Sequence, residues 1–184
     1  NMPSEKIPRG ATEIPTASPG CLFVAYKGCG TTASALDVRS PLEDGVKVTT
    51  MKVKNASEAT YMESWGDSVV AAHGFTNALS DAMGMTSPPV RIDSMAKYAA
   101  LARGDTNMYL RFPPKTYREK VWDHAAGAIV VQEAGGVITD GSGKPLDFSK
   151  GRFLDIDMGI VATSTPELHA KLLETIAQVA QQQQ

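Results

Sequence analysis

Cysteine, histidine and surplus charge are all scarce in this chain. It has two cysteines and three histidines among 184 residues. With no second Cys pair and no Cys/His cluster, neither a zinc site nor a disulfide framework can be argued. Cys21 and Cys29 stand in a segment that reads as strand and glycine turn. They read as two reduced thiols, one of them buried, rather than as partners. Net charge is −2, so no global basic field draws in nucleic acid, and an anionic ligand must be held by a local cluster. No apolar run approaches the roughly 20 residues that a membrane-spanning helix needs. The chain also offers no Ser-His-Asp set, no CxxC, no HExxH and no phosphate loop with a lysine. No leader peptide is visible, and Asn1-Met2-Pro3 reads as the interior of something longer.

What is present is ordinary in bulk. A hydrophobic share of 42% and a charged share of 21% suit a globular protein. The length allows one domain, or one domain plus part of another. Residues 1 to about 19 read as a loop or arm. Cys21 to Tyr26 reads as a strand that turns through Lys27-Gly28-Cys29-Gly30. That glycine pair is not a dinucleotide loop, because no third glycine and no apolar helix follow. Pro41 to Gly45 reads as a turn. Val46 to Val53 reads as an alternating strand, with Val46, Val48, Met51 and Val53 on one buried face and a break in register.

Beyond about residue 58 the pattern alternates. Strands are expected at Thr60 to Glu63, Val90 to Ile92, Met108 to Phe112, Val137 to Thr139 and Gly159 to Thr163. Helices are expected at Thr76 to Met83, at Ser94 to Arg103 and at Asp123 to Ala134. A last helix is expected from Pro166, capped by Thr165 and running into the Gln181 to Gln184 tail. In the third helix Ala126, Ile129, Val130 and Glu133 recur at three and four. This alternation predicts a layered α/β domain.

The run Val121-Trp122-Asp123-His124-Ala125-Ala126-Gly127 is the most informative. It places a carboxylate at a helix start, followed by small residues that admit a ligand or a neighbouring element. A helix start favours negative charge and phosphate. On local pattern alone a plain helix cap is the commoner role for Asp123. Ser94 and Lys97 sit where a strand meets a helix, so hydroxyl, ammonium and free N–H groups can converge on a phosphate there. A capping serine beside an exposed lysine is the plainer alternative. Arg111 lies in an apolar strand on the face of Tyr109, and that face is either wet or turned to a ligand. His73 lies in a small-residue loop before a helix. His124 reads as structural, because neighbours on a helix point in different directions. His169 shows no partner, and Glu133 reads as solvated or locally paired. Asp123 alone cannot make a hard-metal site.

Taken together, Trp122-Asp123-His124-Ala125-Ala126-Gly127, Glu133-Ala134-Gly135-Gly136, Thr139-Asp140 and Pro145-Leu146-Asp147-Phe148 resemble the C-terminal signature of the inositol monophosphatase-like, lithium-sensitive phosphatases. Val90 to Tyr98 and Tyr109 to Phe112 resemble the 3'(2'),5'-bisphosphate nucleotidase branch, especially its plant and fungal members. The resemblance implies an α/β fold: a layered α/β/α C-terminal domain at 58–184. Before it, residues 1–57 would hold a loop and the last strands of an incomplete N-terminal α+β domain.

The resemblance further implies that Asp123 binds Mg²⁺ near the scissile phosphate, as catalytic residue and metal ligand, and that His73, Ser94, Lys97 and Arg111 bind the substrate. The implied reaction removes the 3'-phosphate of adenosine 3',5'-bisphosphate and of its sulfated relative, by metal-activated water. Inositol phosphates are the alternative substrates, and a non-catalytic nucleotide-binding fragment is the alternative class. Neither nucleic acid nor membrane is an implied partner, and the location is intracellular, in cytosol or organelle. The family's metal-binding glutamate and Asp-Pro-Ile-Asp-Gly-Thr block are missing, so the chain is expected to be the C-terminal piece of a longer enzyme and inactive alone.

Overall fold

The computed structural model describes residues 20–36, 45–65 and 70–182. The expected arm at 1–19 and most of the turn at Pro41 to Gly45 lie outside them. Two sheets organise the chain. The first is antiparallel, in the order β1 (Cys21–Tyr26), β2 (Gly30–Ala35), β3 (Val46–Val48). β1 and β2 pair from Cys21↔Ala35 to Tyr26↔Gly30. Their turn uses positive φ at Gly28 (81°) and Gly30 (87°), which glycine adopts without steric cost. β3 is shorter than expected: Val48 is fully buried but Val46 is 37% exposed, so the expected single face fails at its first member. The second sheet has the order β5 (Val90–Arg91), β4 (Tyr61–Glu63), β6 (Met108–Arg111), β8 (Ile160–Thr163), β7 (Val137–Asp140). β4 runs parallel to β5 and β6, and β8 runs antiparallel to both β6 and β7.

Alternation along the strands sends neighbours to opposite layers. Tyr61, Met108, Leu110 and Val161 pack with Leu79 of α1 (Val70–Ala82), with Met83 just beyond it and with α4 (Pro166–Gln182). Tyr109, Ile138, Ile160 and Ala162 face the other way, onto Tyr98 and Leu101 of α2 (Ala96–Arg103) and Ala128 and Val131 of α3 (Val121–Glu133). The result is the expected α/β/α layering. In α4, Leu168, Leu172, Ile176 and Val179 form the buried stripe. Truncating the fully buried Leu172 to Ala would cost about 2–5 kcal/mol. Thr165 Oγ1 accepts the Leu168 N–H at 3.2 Å, as the cap reading expects. Gly104, in the left-handed region at φ 93°, closes α2.

Several local readings change. α1 begins at Val70, well before Thr76, so His73 is inside a helix and not in a loop. α3 begins at Val121, two residues before Asp123. Its buried residues are His124, Ala128 and Val131, while Ala126 is exposed. The reason is packing on two sides: α2 and the large sheet take one face, and β2 takes another through Thr31 Oγ1, which donates to the Val130 carbonyl at 2.8 Å. Glu133 is neither solvated alone nor locally paired. Its two oxygens accept the N–H groups of Gly28 and Gly30, each at 2.9 Å, lashing the end of α3 to the β1–β2 turn. Those two bonds hold its carboxyl below the usual range. His169 does have partners, the hydroxyls of Thr139 (2.9 Å) and Thr163 (3.1 Å). Both cysteines are free, but Cys29 is exposed and Cys21 half-buried, so neither is fully inside.

Candidate active site

Because β4, β5 and β6 are mutually parallel, their C-terminal ends share one edge, the usual place for ligands in α/β sheets. Ser64 follows β4 there, Ile92-Asp93-Ser94 follows β5, and Arg111 ends β6. Arg111 donates from Nε to Glu119 Oε1 at 2.6 Å and from Nη1 to Ser64 Oγ at 3.1 Å. Its face is not wet: Tyr109 beneath it is fully buried. His73 reaches the same edge from α1, with Nε2 donating to the Ser64 carbonyl at 3.0 Å and standing 3.7 Å from Glu63. His73 and Arg111 therefore flank one small cleft, with Glu63, Ser64 and Phe112.

Lys97 is fully buried, against the plain reading of an exposed lysine. Its Nζ donates to the carbonyls of Ile92 at 2.7 Å and Ser94 at 2.8 Å, using two of three N–H groups. It lies 5.3 Å from the centroid of the Tyr109 ring. Burial, then repulsion by Arg111, lower it to about 8, with Asp93 opposing. The Ser94 side chain is exposed, and its Oγ accepts the Ala96 N–H at 3.0 Å. That is a serine turn just ahead of α2, whose cap position is Met95, so Ser94 touches Lys97 through its carbonyl and not its hydroxyl.

Asp123 is the third residue of α3, and Lys120 holds the cap position with no side-chain bond. The simple cap reading of Asp123 therefore fails. Among the described residues its carboxylate makes no hydrogen bond or ion pair, and its main-chain N–H donates to the Lys120 carbonyl at 3.1 Å. Its charge reaches Tyr109. Burial first, then Glu119 and Asp123, push that phenol up, with Arg111 opposing. The Tyr109 hydroxyl is buried without a partner among the described residues. No group of three His, Cys, Asp or Glu residues suited to a metal occurs among the described residues. Asp123 fits a hard cation as one oxygen ligand among the several such an ion requires.

Sequence reasoning missed the residues behind these groups. Glu119, 1% exposed, bonds Arg111 through Oε1 and His124 Nε2 through Oε2 at 2.8 Å. His124 Nδ1 lies 2.7 Å from the Tyr98 hydroxyl. An ionised carboxylate only accepts, so Nε2 donates to it, and in the neutral ring Nδ1 accepts from Tyr98. Burial pushes Glu119 up, but the bonds from His124 and Arg111 and the Arg111 charge outweigh this and hold it below its ordinary value. The sequence signal was His124, read as structural because it points away from Asp123, and it is fully buried.

The fold agrees with what the chain resembles. The Inositol monophosphatase family description matches residues 7–181. The chain belongs to the inositol monophosphatase family. Within it, the chain is 49% identical over 164 residues to a 3'(2'),5'-bisphosphate nucleotidase of Oryza sativa, covering 89% of this chain and 44% of that protein. It is 42% identical over 159 residues to a protein of the same name from Emericella nidulans, covering 83% and 43%. The chain thus spans less than half the length of these relatives. Among solved structures, the Anabaena inositol monophosphatase superposes with a TM-score of 0.59 at 22% identity, over 86% of this chain and 54% of that one. The Bartonella henselae extragenic suppressor protein suhB gives 0.61 at 22% identity, over 85% and 52%. These two share the fold. Among the described residues no helix is long and apolar enough to cross a membrane.

Proposed function

We propose that this chain is the C-terminal part of a Mg²⁺-dependent 3'(2'),5'-bisphosphate nucleotidase that removes the 3'-phosphate of adenosine 3',5'-bisphosphate, giving AMP, and of 3'-phosphoadenylyl sulfate. The observation that carries this reading is the gathering of Lys97, Arg111 and His73 at one strand edge. Two cationic groups, Lys97 and Arg111, with a histidine beside them and their donors held in place, are what a doubly phosphorylated nucleotide needs, and the similarity to named nucleotidases narrows the phosphate ester to this class. In this reading residues 1–57 complete the sheet of an N-terminal domain and 58–184 form the second domain.

Asp123 would be this chain's contribution to the metal, with the remaining oxygen ligands coming from an N-terminal half. When bound, Mg²⁺ would lower the pKa of water and neutralise phosphoryl charge. The chain's own residues do the holding. Arg111 meets a phosphate with its guanidinium already oriented, so little ordering is lost on binding. Lys97 adds a charge in a site shielded from water, where it counts for more. Ser94 sits beside Lys97 where a ribose or phosphate oxygen can reach its hydroxyl.

The test is phosphate release with Mg²⁺ by the complete protein and by this 184-residue chain alone, on adenosine 3',5'-bisphosphate and on inositol 1-phosphate. The complete protein is expected to favour the nucleotide, and the chain alone to release none. Preference for the inositol ester would replace the nucleotidase reading. Turnover by the chain alone would overturn its dependence on a second half.

A further inference from the structure

We propose that Glu119, braced by His124 and Tyr98, is a positioning residue for Arg111, and that this buried chain of side chains keeps in register the three elements presenting Lys97, Arg111 and Asp123. The inference rests on the nucleotidase reading above. Its first support is sequence adjacency. Tyr98 follows Lys97 in α2, and His124 follows Asp123 in α3. Each helix thus supplies one residue proposed to meet the ligand and, next to it, one that joins the buried chain. Arg111 closes the set from β6.

The second support is how the bonds are shared. Glu119 engages Nε of Arg111, while Nη1 goes to Ser64. Among the described residues no carboxylate accepts from an Nη atom of Arg111, so Glu119 steers the guanidinium without covering its outer edge. A buried carboxylate satisfied on one side alone is costly. His124 meets the other oxygen, and Tyr98 meets the far side of His124. Each member of such a network is fixed by the next, and it rigidifies only when all are satisfied. Tyr98 ends it, its ring edge-on to Tyr109 at 4.8 Å between centroids. A rotamer change at Glu119 would therefore release the Arg111 fork and loosen α2 from α3 together.

The experiment measures kcat and KM for adenosine 3',5'-bisphosphate in the complete enzyme. Its variants are Glu119→Gln, Tyr98→Phe and Arg111→Ala, and the first two are repeated in the Arg111→Ala background. Glu119→Gln is expected to raise KM about tenfold with kcat changed less than about threefold, since it misplaces a binding group and leaves the reacting centre alone. Tyr98→Phe is expected to raise KM about twofold, by loosening the far end. Both effects should vanish when Arg111 is already Ala, because coupled residues are not additive. Should Glu119→Gln fail to fold, Tyr98→Phe carries the same comparison. An unchanged KM, or a KM rise that persists without Arg111, overturns the positioning role. A fall in kcat alone, tracking the folded fraction, makes Glu119 a packing residue and overturns it too. If the unmodified enzyme turns over no nucleotide, the nucleotidase reading fails and takes this inference with it. If it does, and the variants behave like wild type, only this inference fails.

Discussion

Gly127 lies so close under the ring of Tyr98 that a methyl carbon on its Cα would stand 2.1 Å from Cδ2 and 2.4 Å from Cγ. Tyr98 is 1% exposed and its hydroxyl is held by His124, so the ring has nowhere to go. Gly127→Ala is expected to destabilise the complete protein. Overpacking costs about 1–3 kcal/mol, against a helix-propensity gain of roughly 1 kcal/mol. Chemical denaturation checks the sign, and a raised midpoint would mean that α2 and α3 separate at little cost.

Lys97 is expected to give ligand affinity an alkaline limit below that of an ordinary lysine. Burial and Arg111 bring it to about 8, so its charge fades around that pH and not near 10.4. Calorimetry of adenosine 3',5'-bisphosphate on the complete protein should show weaker binding at about pH 9.5 than at about pH 7, and Lys97→Arg should remove the dependence. Stability should move oppositely. Between about 8 and about 10.4 the unfolded chain binds the proton more tightly, so this residue adds stability as pH rises through that window.

Glu133→Gln is expected to lower the melting temperature near neutral pH, since Gln offers one oxygen where the carboxylate offers two to Gly28 and Gly30. The folded carboxyl sits below its ordinary value. Its contribution is therefore complete above the unfolded value of about 4.3 and is lost as pH falls through the folded one. The gap between variant and wild type should close on acidification. A gap that stays constant would assign the effect to something other than this carboxylate's charge.

Asp123→Asn in the complete enzyme is expected to cut the Mg²⁺-dependent rate about a thousandfold, on the several kcal/mol that a catalytic metal supplies. The carboxylate makes no hydrogen bond or ion pair among the described residues, so the unfolding midpoint should barely move. Rate and stability falling together would make Asp123 a structural residue.

Much of the architecture was legible because it is local. Short runs rich in apolar residues gave away β4, β6, β7 and β8, and Thr165-Pro166 marked the start of α4. What escaped depends on contacts across long stretches of chain. Glu133 finds its partners more than a hundred residues away, and His169 meets hydroxyls from two strands. The face of α3 was misread because a helix packed on two sides has no single apolar stripe. At the candidate site Asp123, Lys97 and Arg111 stood out as charges in awkward places. Glu119 did not, because nothing in Tyr117-Arg118-Glu119-Lys120 distinguishes a buried acid from an exposed one until Arg111 and His124 are brought to it.

The neighbour pairs Lys97–Tyr98 and Asp123–His124 also limit how the gene can change length. One residue of α-helix turns by about 100°. A single insertion or deletion just ahead of either pair would rotate the wrong member into each place, bringing a ring where an ammonium belongs or an imidazole where a carboxylate does. Viable length variation should therefore be confined to connections such as the exposed stretch from Pro114 to Arg118, leaving the first turns of α2 and α3 constant in count.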